Sequence, residues 1–121
     1  MNDNESQEMY LETILKILKR KGSVRAVEIA EEMGYSRPSV SRAVGIMKDD
    51  GYITVLKGGE IKLTDSGRAK AESVFLRHNI LTDALMKIGL NRSVAEENAC
   101  RIEHVLTEDA FDAIKRYFSD K

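Results

Sequence analysis

The chain has 121 residues, a single cysteine and a formal net charge of -1 at pH 7. Charged residues make up 32% of it and apolar residues 42%, a composition typical of a folded protein with a well-solvated surface. One cysteine excludes an internal disulfide framework. The near-neutral balance excludes a uniformly basic protein, so any contact with nucleic acid must come from local clusters of positive charge.

The length of the chain and its N-terminal residues predict how it associates and where it is located. Lobes of roughly 60 residues are marginally stable alone, so a two-lobed chain of this size would gain from association with a second copy. Asp3 and Glu5 stand where a secretory signal needs positive charge and an apolar run. No stretch approaches the roughly 18 apolar residues of a membrane span, so the cytoplasm is the expected location, with no membrane partner.

The N-terminal third is predicted to hold three helices. Helical spacing of apolar residues indicates a first helix over 4–21, stopped by Gly22, and a second over 26–33, stopped by Gly34. Ser36 can cap a third helix, and Pro38 fits its first turn, where no amide donor is needed. The short turn between the second and third helices is typical of a helix-turn-helix motif, whose second helix enters the major groove of DNA.

A two-stranded wing is predicted after the third helix. Residues 52–56 are rich in strand formers, Lys57-Gly58-Gly59 is a turn, and Ile61 and Leu63 alternate outwards from it. This order predicts a winged helix-turn-helix domain over residues 1–64. Positive charge is concentrated in two sets, which are Lys16, Lys19, Arg20, Lys21 and Arg25, and Arg37 with Arg42.

The remainder is predicted to be entirely helical. Segments over 65–88, 93–106 and 108–118 have helical patterns, with Gly89 ending the first and Thr107 capping the last. Ser93 and Glu96 have the spacing of a capping box. The fold class is therefore mainly α, with a winged helix-turn-helix followed by an all-helical domain over residues 65–121.

One spacing in the last third of the chain is compatible with a metal site. Cys100, Glu103 and His104 stand at i, i+3 and i+4 of a predicted helix, so the thiol, carboxylate and imidazole would share one face. Sulfur, oxygen and nitrogen together suit Fe(II), Co(II), Ni(II) or Zn(II) more than Mg(II) or Ca(II). Ordinary roles, as a packed thiol, a solvated carboxylate and a satisfied imidazole, explain the same spacing, and spacing alone favours them.

Four segments resemble the iron- and manganese-dependent repressors of the diphtheria-toxin-repressor type. They are Glu8-Met9-Tyr10-Leu11, Ser39-Val40-Ser41, Arg77-His78 and Ala99-Cys100-Arg101-Ile102-Glu103-His104. The resemblance runs from end to end of the chain and is most specific in the last segment. It implies a helical domain used for dimerisation and metal binding, and a short two-domain architecture without the third domain of longer members.

By this resemblance Met9, Cys100, Glu103 and His104 bind the activating metal. Manganese-selective relatives typically carry carboxylates at the positions of Met9 and Cys100, so the sulfur pair here favours Fe(II). Mn(II) is the alternative, and other divalent transition metals can substitute. Met9 would join the DNA-reading lobe to the helical lobe, so metal would favour one arrangement of the two.

A second metal site is a weaker expectation. His78 resembles a ligand of the family's ancillary site, but Thr82 and Glu96 stand where its pattern has glutamate and histidine. Glu12, where manganese sensors carry a carboxylate, would join His78 and a shared Glu103 at such a site.

The resemblance also assigns a DNA-binding surface, made of Ser36, Arg37, Pro38, Ser39, Ser41, Arg42 and Lys57. Arg42 occupies the base-reading position, and arginine can read guanine through two hydrogen bonds. Arg37, Ser39 and Lys57 would meet phosphates, and Lys48 is expected to remain a solvated charge.

The sequence thus predicts a homodimeric repressor that is not an enzyme and that binds double-stranded operator DNA when Fe(II) is loaded. One alternative is a metal-independent winged-helix regulator with Cys100 as a redox-sensitive thiol. Another is a small cysteine- or metal-dependent hydrolase using Cys100 and His104, for which no third orienting group stands at a recognisable spacing. Six apolar residues would serve core packing or the dimer interface, namely Leu81, Leu85, Ile88, Leu90, Val105 and Phe111.

Overall fold

A computed structural model describes residues 3–119 of the chain, with side chains from residue 6 onward. Six helices and one two-stranded sheet are present in this range, and the chain divides into two compact units, Met1–Glu72 and Ser73–Lys121. The elements are α1 Asp3–Lys21, α2 Ala26–Met33, α3 Arg37–Asp49, β1 Ile53–Val55, β2 Ile61–Leu63, α4 Asp65–Lys87, α5 Arg92–Ile102 and α6 Glu108–Ser119. The predicted fold class is confirmed.

The helix-turn-helix consists of α2 and α3, joined by three residues. Gly34 ends α2 with a φ of 70°, a left-handed conformation that glycine adopts without steric cost, and its N–H donates to the Ala30 carbonyl at 2.9 Å. Ser36 then caps α3 by accepting from the Ser39 N–H at 3.3 Å. Val40 and Met47 are buried and form the inner face of α3.

The wing is the antiparallel pair β1 and β2, with Ile53 opposite Leu63 and Val55 opposite Ile61. The tip turns through Gly58 and Gly59, which have φ values of 95° and 92°. Ile53 and Ile61 are buried, so one face of the hairpin packs on the core. The Ile61 N–H also donates to the Val24 carbonyl at 2.9 Å, which ties the hairpin to the loop after α1.

The start of α4 is packed tightly beneath the wing. The Thr64 hydroxyl donates to the Gly51 carbonyl at 2.7 Å and accepts from the Gly67 N–H at 3.0 Å. A Cβ at Gly67 would stand 1.9 Å from the Tyr52 carbonyl oxygen. Only glycine therefore allows this close approach of helix and chain.

The second unit has its own apolar core, built on Leu81, Ala99 and Phe111 and flanked by partly buried neighbours that include Leu85. Ile88 and Val105 are instead 66% and 60% exposed. The structure thus assigns Leu81 and Phe111 to the core and leaves Ile88 and Val105 on the surface. The predicted cap of α6 is confirmed, since Thr107 Oγ1 accepts from the Ala110 N–H at 3.2 Å.

The start of α5 differs from the prediction. The cap is Asn91, whose side-chain oxygen accepts from the Val94 N–H at 2.9 Å, and the helix begins at Arg92. Ser93 lies inside the first turn, so its predicted capping box with Glu96 is wrong. Gly89 turns the chain, and Asn91 is the first residue after this turn whose side chain can cap a helix. The helix therefore starts before Ser93 is reached.

Among the described residues, no helix is long and apolar enough to cross a membrane.

Candidate metal centre and nucleic-acid interface

The predicted DNA-binding residues lie at the start of α3 and at the wing tip. Six of the seven are exposed, and Ser39 is half-buried. Ser36 and Ser39 are engaged with each other, because the Ser36 hydroxyl donates to Ser39 Oγ at 2.9 Å in addition to its capping bond. These two serines hold the first turn of α3 in place, which orients the side chains that follow.

The predicted DNA-binding cations on α3 and the wing differ from most of the cations on α1 in their ion pairing. Across residues 6–119, Arg37, Arg42 and Lys57 form no ion pair, although Arg42 is close enough to Tyr10 to influence its titration. Burial and the neighbouring Tyr35 raise the pKa of Tyr10, and the Arg42 charge acts in the opposite direction. The exposed guanidinium and ammonium groups are available to phosphates or base edges.

Most of the basic cluster on α1 is paired within its own unit. The pairs are Lys16–Glu12 at 4.0 Å, Arg20–Glu32 at 3.1 Å and Lys21–Glu28. The hydrogen bond from Lys21 holds the pKa of the Glu28 carboxyl below its usual value. Carboxylates of α1 and α2 therefore neutralise Lys16, Arg20 and Lys21, whereas the cations of α3 and the wing named above have no such pairing within residues 6–119.

Arg25 stabilises the wing from the loop before α2. Its guanidinium donates to the carbonyl of Gly58 at the wing tip. Its backbone N–H donates to Glu28 Oε1 at 3.0 Å, which anchors Arg25 to the first turn of α2. Arg25 was predicted only as part of the basic cluster, and no local pattern marks its contact with a residue 33 positions away.

The second unit brings together three of the predicted metal-binding residues. The Glu103 side chain is 0% exposed, and its Oε2 lies 2.7 Å from His78 Nδ1. Its Oε1 lies 3.1 Å from His104 Nε2, in a side chain that is only 5% exposed. A buried carboxylate is costly unless it is paired, and the two imidazoles provide that pairing. The two oxygens of one carboxylate and two imidazole nitrogens thus meet in one largely buried cluster.

Cys100 lies in the last turn of α5, three residues before Glu103, and is exposed. The predicted helix through Leu106 is wrong, because α5 ends at Ile102. Here the N–H groups of Val105 and Leu106 both donate to the Ile102 carbonyl at 3.1 Å, and the side chain of Leu106 packs into the core. Glu103 keeps a helical bond to the Ala99 carbonyl at 2.9 Å, but His104 lies in the turn beyond the helix.

Arg77 holds the same turn through the backbone. Its Nη1 donates to the Glu103 carbonyl at 2.8 Å, and its Nη2 donates to Glu108 Oε1 at 2.6 Å. The guanidinium also lies over the Phe111 ring, 5.0 Å from the centroid. No role was predicted for Arg77, although it stands beside His78 in one of the segments that carry the family resemblance.

The remaining candidates lie on α1, α4 and α5. Met9 and Glu12 are on α1 in the first unit, where Glu12 is buried and Met9 is half-buried. In the second unit the Thr82 hydroxyl is buried and forms no hydrogen bond within the described range. Glu96 is exposed and lies 3.5 Å from Arg92, so its contacts are those of a surface carboxylate.

The fold and the site place the chain in the class of winged helix-turn-helix proteins, with a separate helical domain that contains a carboxylate–imidazole cluster. Residues 4–59 match the family model for the N-terminal DNA binding domain of iron dependent repressors. Residues 64–120 match the model for the metal binding and dimerisation domain of iron dependent repressors. The chain belongs to the iron-dependent repressor family.

Named relatives include regulators of two metals. The chain is 36% identical over 106 residues to the iron-dependent repressor IdeR of Mycobacterium tuberculosis, covering 87% of this chain and 46% of that protein. It is 29% identical over 112 residues to the transcriptional regulator MntR of Escherichia coli, covering 93% of this chain and 72% of that protein. The solved structure of the manganese regulator SloR has a TM-score of 0.81 at 24% identity, covering 100% of this chain and 56% of that one.

These comparisons fix the family and the fold and leave the metal open. The chain spans about half the length of the first curated relatives it matches, with 46% of IdeR covered. The likeness to SloR, at 24% identity, shows the fold alone.

Proposed function

We propose that the chain is a cytoplasmic, metal-activated transcriptional repressor that binds operator DNA as a homodimer, responds to Fe(II) and controls metal-homeostasis genes. It would act by binding and not as an enzyme. The observation that carries the proposal is the fully buried Glu103 carboxylate between His78 and His104. A protein seldom buries an acid among imidazoles without a role for their donor atoms, and nitrogen and oxygen donors suit divalent transition metals.

Met9, Cys100, Glu103 and His104 would hold the regulatory ion. The family resemblance supplies Met9 and Cys100, and the contact between Glu103 and His104 supports the other two. A bound divalent cation would supply a positive charge that favours the conformation in which these ligands converge. His78 and Glu12 would serve a second ion that shares Glu103, and the contact of His78 with Glu103 is the support for this site.

The choice of Fe(II) over Mn(II) rests on the ligand types. Thioether and thiolate are soft ligands, whereas manganese sites are built mainly from carboxylate, carbonyl and water. Met9 and Cys100 provide two sulfur atoms at positions where manganese-selective relatives carry carboxylates. A repressor that responds to Mn(II) is the alternative, favoured by the carboxylate of Glu12.

The start of α3 and the wing tip would bind the operator. Arg42 would read a base edge, while Arg37, Ser39 and Lys57 would hold phosphates and Ser36, Pro38 and Ser41 would line the contact. The absence of ion pairs at Arg37, Arg42 and Lys57 within residues 6–119 supports this assignment. A two-fold dimer would require a pseudopalindromic operator whose half-sites match the spacing of the two wings.

The test is anaerobic selection of binding sites from random DNA, followed by affinity measurements with Fe(II), with Mn(II) and with a chelator at fixed salt. We expect tight binding only with metal, and loss of the metal response in Cys100→Ala and His104→Ala. Glu97→Gln, an exposed change on α5, is the matched control and should behave as the parent. Equal affinity of chelated and metal-loaded parent protein would contradict the proposal and favour the metal-independent regulator.

A further inference from the structure

The turn between α5 and α6 carries two of the proposed ligands and needs support from elsewhere in the fold. The last carbonyls of any α-helix lack partners within the helix, and they must be satisfied by side chains, water or a tightened turn. At the end of α5 the Glu103 carbonyl accepts from Arg77 Nη1 at 2.8 Å. An arginine on α4 thus caps the helix at Glu103, directly before His104.

Arg77 is itself held rigidly. Its side chain is 14% exposed, its second nitrogen pairs with Glu108 at 2.6 Å, and its guanidinium lies 5.0 Å above the Phe111 ring. The planar fork of arginine allows these contacts at once, since separate nitrogens point towards the carbonyl and the carboxylate. The guanidinium therefore fixes the end of α5 relative to the start of α6.

Two adjacent residues of α4 hold the same ligand residue in different ways. His78 contacts the Glu103 carboxylate at 2.7 Å, whereas Arg77 binds the Glu103 backbone carbonyl. The His78 contact orients the side chain, and the Arg77 contact orients the backbone from which it projects. His104 follows directly on that backbone, so its position depends on the same hydrogen bond.

We propose that Arg77 is a positioning residue for the metal site, which fixes the backbone of Glu103 and His104 without itself binding metal. The inference rests on the proposed function, because it concerns the ligands of that site. Groups that orient metal ligands typically contribute about 10- to 100-fold to metal affinity. Removing the Arg77 guanidinium should therefore weaken metal binding even though every ligand remains.

The experiment measures Co(II) binding to the full chain under anaerobic conditions, by competition with a chromophoric chelator and by the d–d absorption spectrum at saturation. The variants are Arg77→Met and Arg77→Lys, the second of which keeps the charge and most of the stem but not the fork. Glu108→Gln is the matched control, since it removes the pair with the 77% exposed Glu108 and keeps the bond to the Glu103 carbonyl. Circular dichroism of the metal-free proteins reports the fold.

We expect both Arg77 variants to bind Co(II) about tenfold more weakly, with an altered spectrum at saturation, and Glu108→Gln to stay within about twofold of the parent. An affinity of Arg77→Lys close to that of the parent would overturn the inference, as would an unaltered spectrum or an equal loss in Glu108→Gln. If Arg77→Met fails to fold, Arg77→Lys decides alone. A parent protein that takes up no Co(II) would overturn the proposed metal site itself, and with it the inference.

Discussion

At the scale of single residues, Glu103 determines most of the chemistry proposed for the second unit. Its carboxylate is fully buried, with one imidazole at each oxygen. A buried charge that loses its partner is strongly destabilising, so removal of either His78 or His104 should destabilise the fold before any metal is considered. The same three groups are therefore structural partners of one another as well as the ligands that we propose.

Metal preference should be decided by the sulfur-bearing residues. Replacing them with carboxylates in the double variant Met9→Asp/Cys100→Glu should shift preference from Fe(II) towards Mn(II), because oxygen ligands suit the harder ion. The ratio of the two dissociation constants, measured anaerobically by chelator competition, should change by at least about tenfold, or roughly 1.4 kcal/mol. Met33→Leu, a change at a half-buried methionine on α2, is the control. An unchanged ratio would remove the basis for choosing iron.

Gly67 should be intolerant of any side chain. An added Cβ would stand 1.9 Å from the Tyr52 carbonyl oxygen, so Gly67→Ala should lower the free energy of unfolding by about 1–3 kcal/mol. Gly45→Ala is the matched control, because Gly45 lies exposed on α3 with nothing within 4 Å of the added atom. That change should be neutral or stabilising by up to about 1 kcal/mol. Urea unfolding of the two variants measures both effects, and equal stabilities would contradict the close approach.

At the scale of the elements, the local chemistry of helix ends determines which residues reach the site. Ser36 and Ser39 order the first turn of α3, where the proposed base-reading residues begin. Asn91 starts α5, and the position of that start determines which side chains of the helix face the core. The two ends of α5 are therefore held by Asn91 and by Arg77 respectively.

The cap of α5 gives a direct test of its boundary. Asn91→Ala should lower the free energy of unfolding by about 1 kcal/mol, because the Val94 N–H loses its acceptor. Ser93→Ala, an exposed change inside the first turn, should cost less than about 0.5 kcal/mol. Thermal or urea unfolding of the metal-free proteins compares them. A larger loss in Ser93→Ala than in Asn91→Ala would restore the capping box predicted from the sequence.

At the scale of the whole molecule, two small units each bury a limited core. The apolar core cluster of the second unit consists of the buried residues Leu81, Ala99 and Phe111, with partly buried neighbours packed around it. The same unit exposes large apolar side chains, of which Ile88 and Val105 are 66% and 60% exposed. Small domains of this kind commonly gain stability through association, and exposed apolar surface supports such contacts.

The proposed homodimer predicts a measurable change in association. The parent chain should sediment as a dimer at micromolar concentration, and Ile88→Glu/Val105→Glu should raise the dissociation constant by at least about tenfold, since charge would be placed in an apolar interface. Leu56→Glu, a change at a 44% exposed residue of the wing, is the control and should leave the dimer intact. A parent chain that sediments as a monomer at all concentrations would contradict the dimer.

Local sequence patterns predicted the order and nearly all the limits of the elements in the first unit. Helical periodicity, the glycine stops, the Ser36 cap and the alternation of the wing are local signals, set by residues a few positions apart. The same applies to Thr107 at the start of α6. The sequence pattern also grouped Glu103 and His104 in one candidate site, but it did so on a helix predicted through Leu106, whereas His104 lies in the turn after α5.

Contacts between residues far apart in the chain were not predictable from these patterns. His78 reaches Glu103 over 25 positions, Arg77 reaches the Glu103 carbonyl over 26, and Arg25 reaches the wing tip over 33. The structure also shows that α2 pairs with Arg20 and Lys21 of the basic cluster on α1, and that Ile88 and Val105 lie outside the core. Such contacts depend on how helices pack, and packing is set by the sum of many weak interactions that no local pattern records.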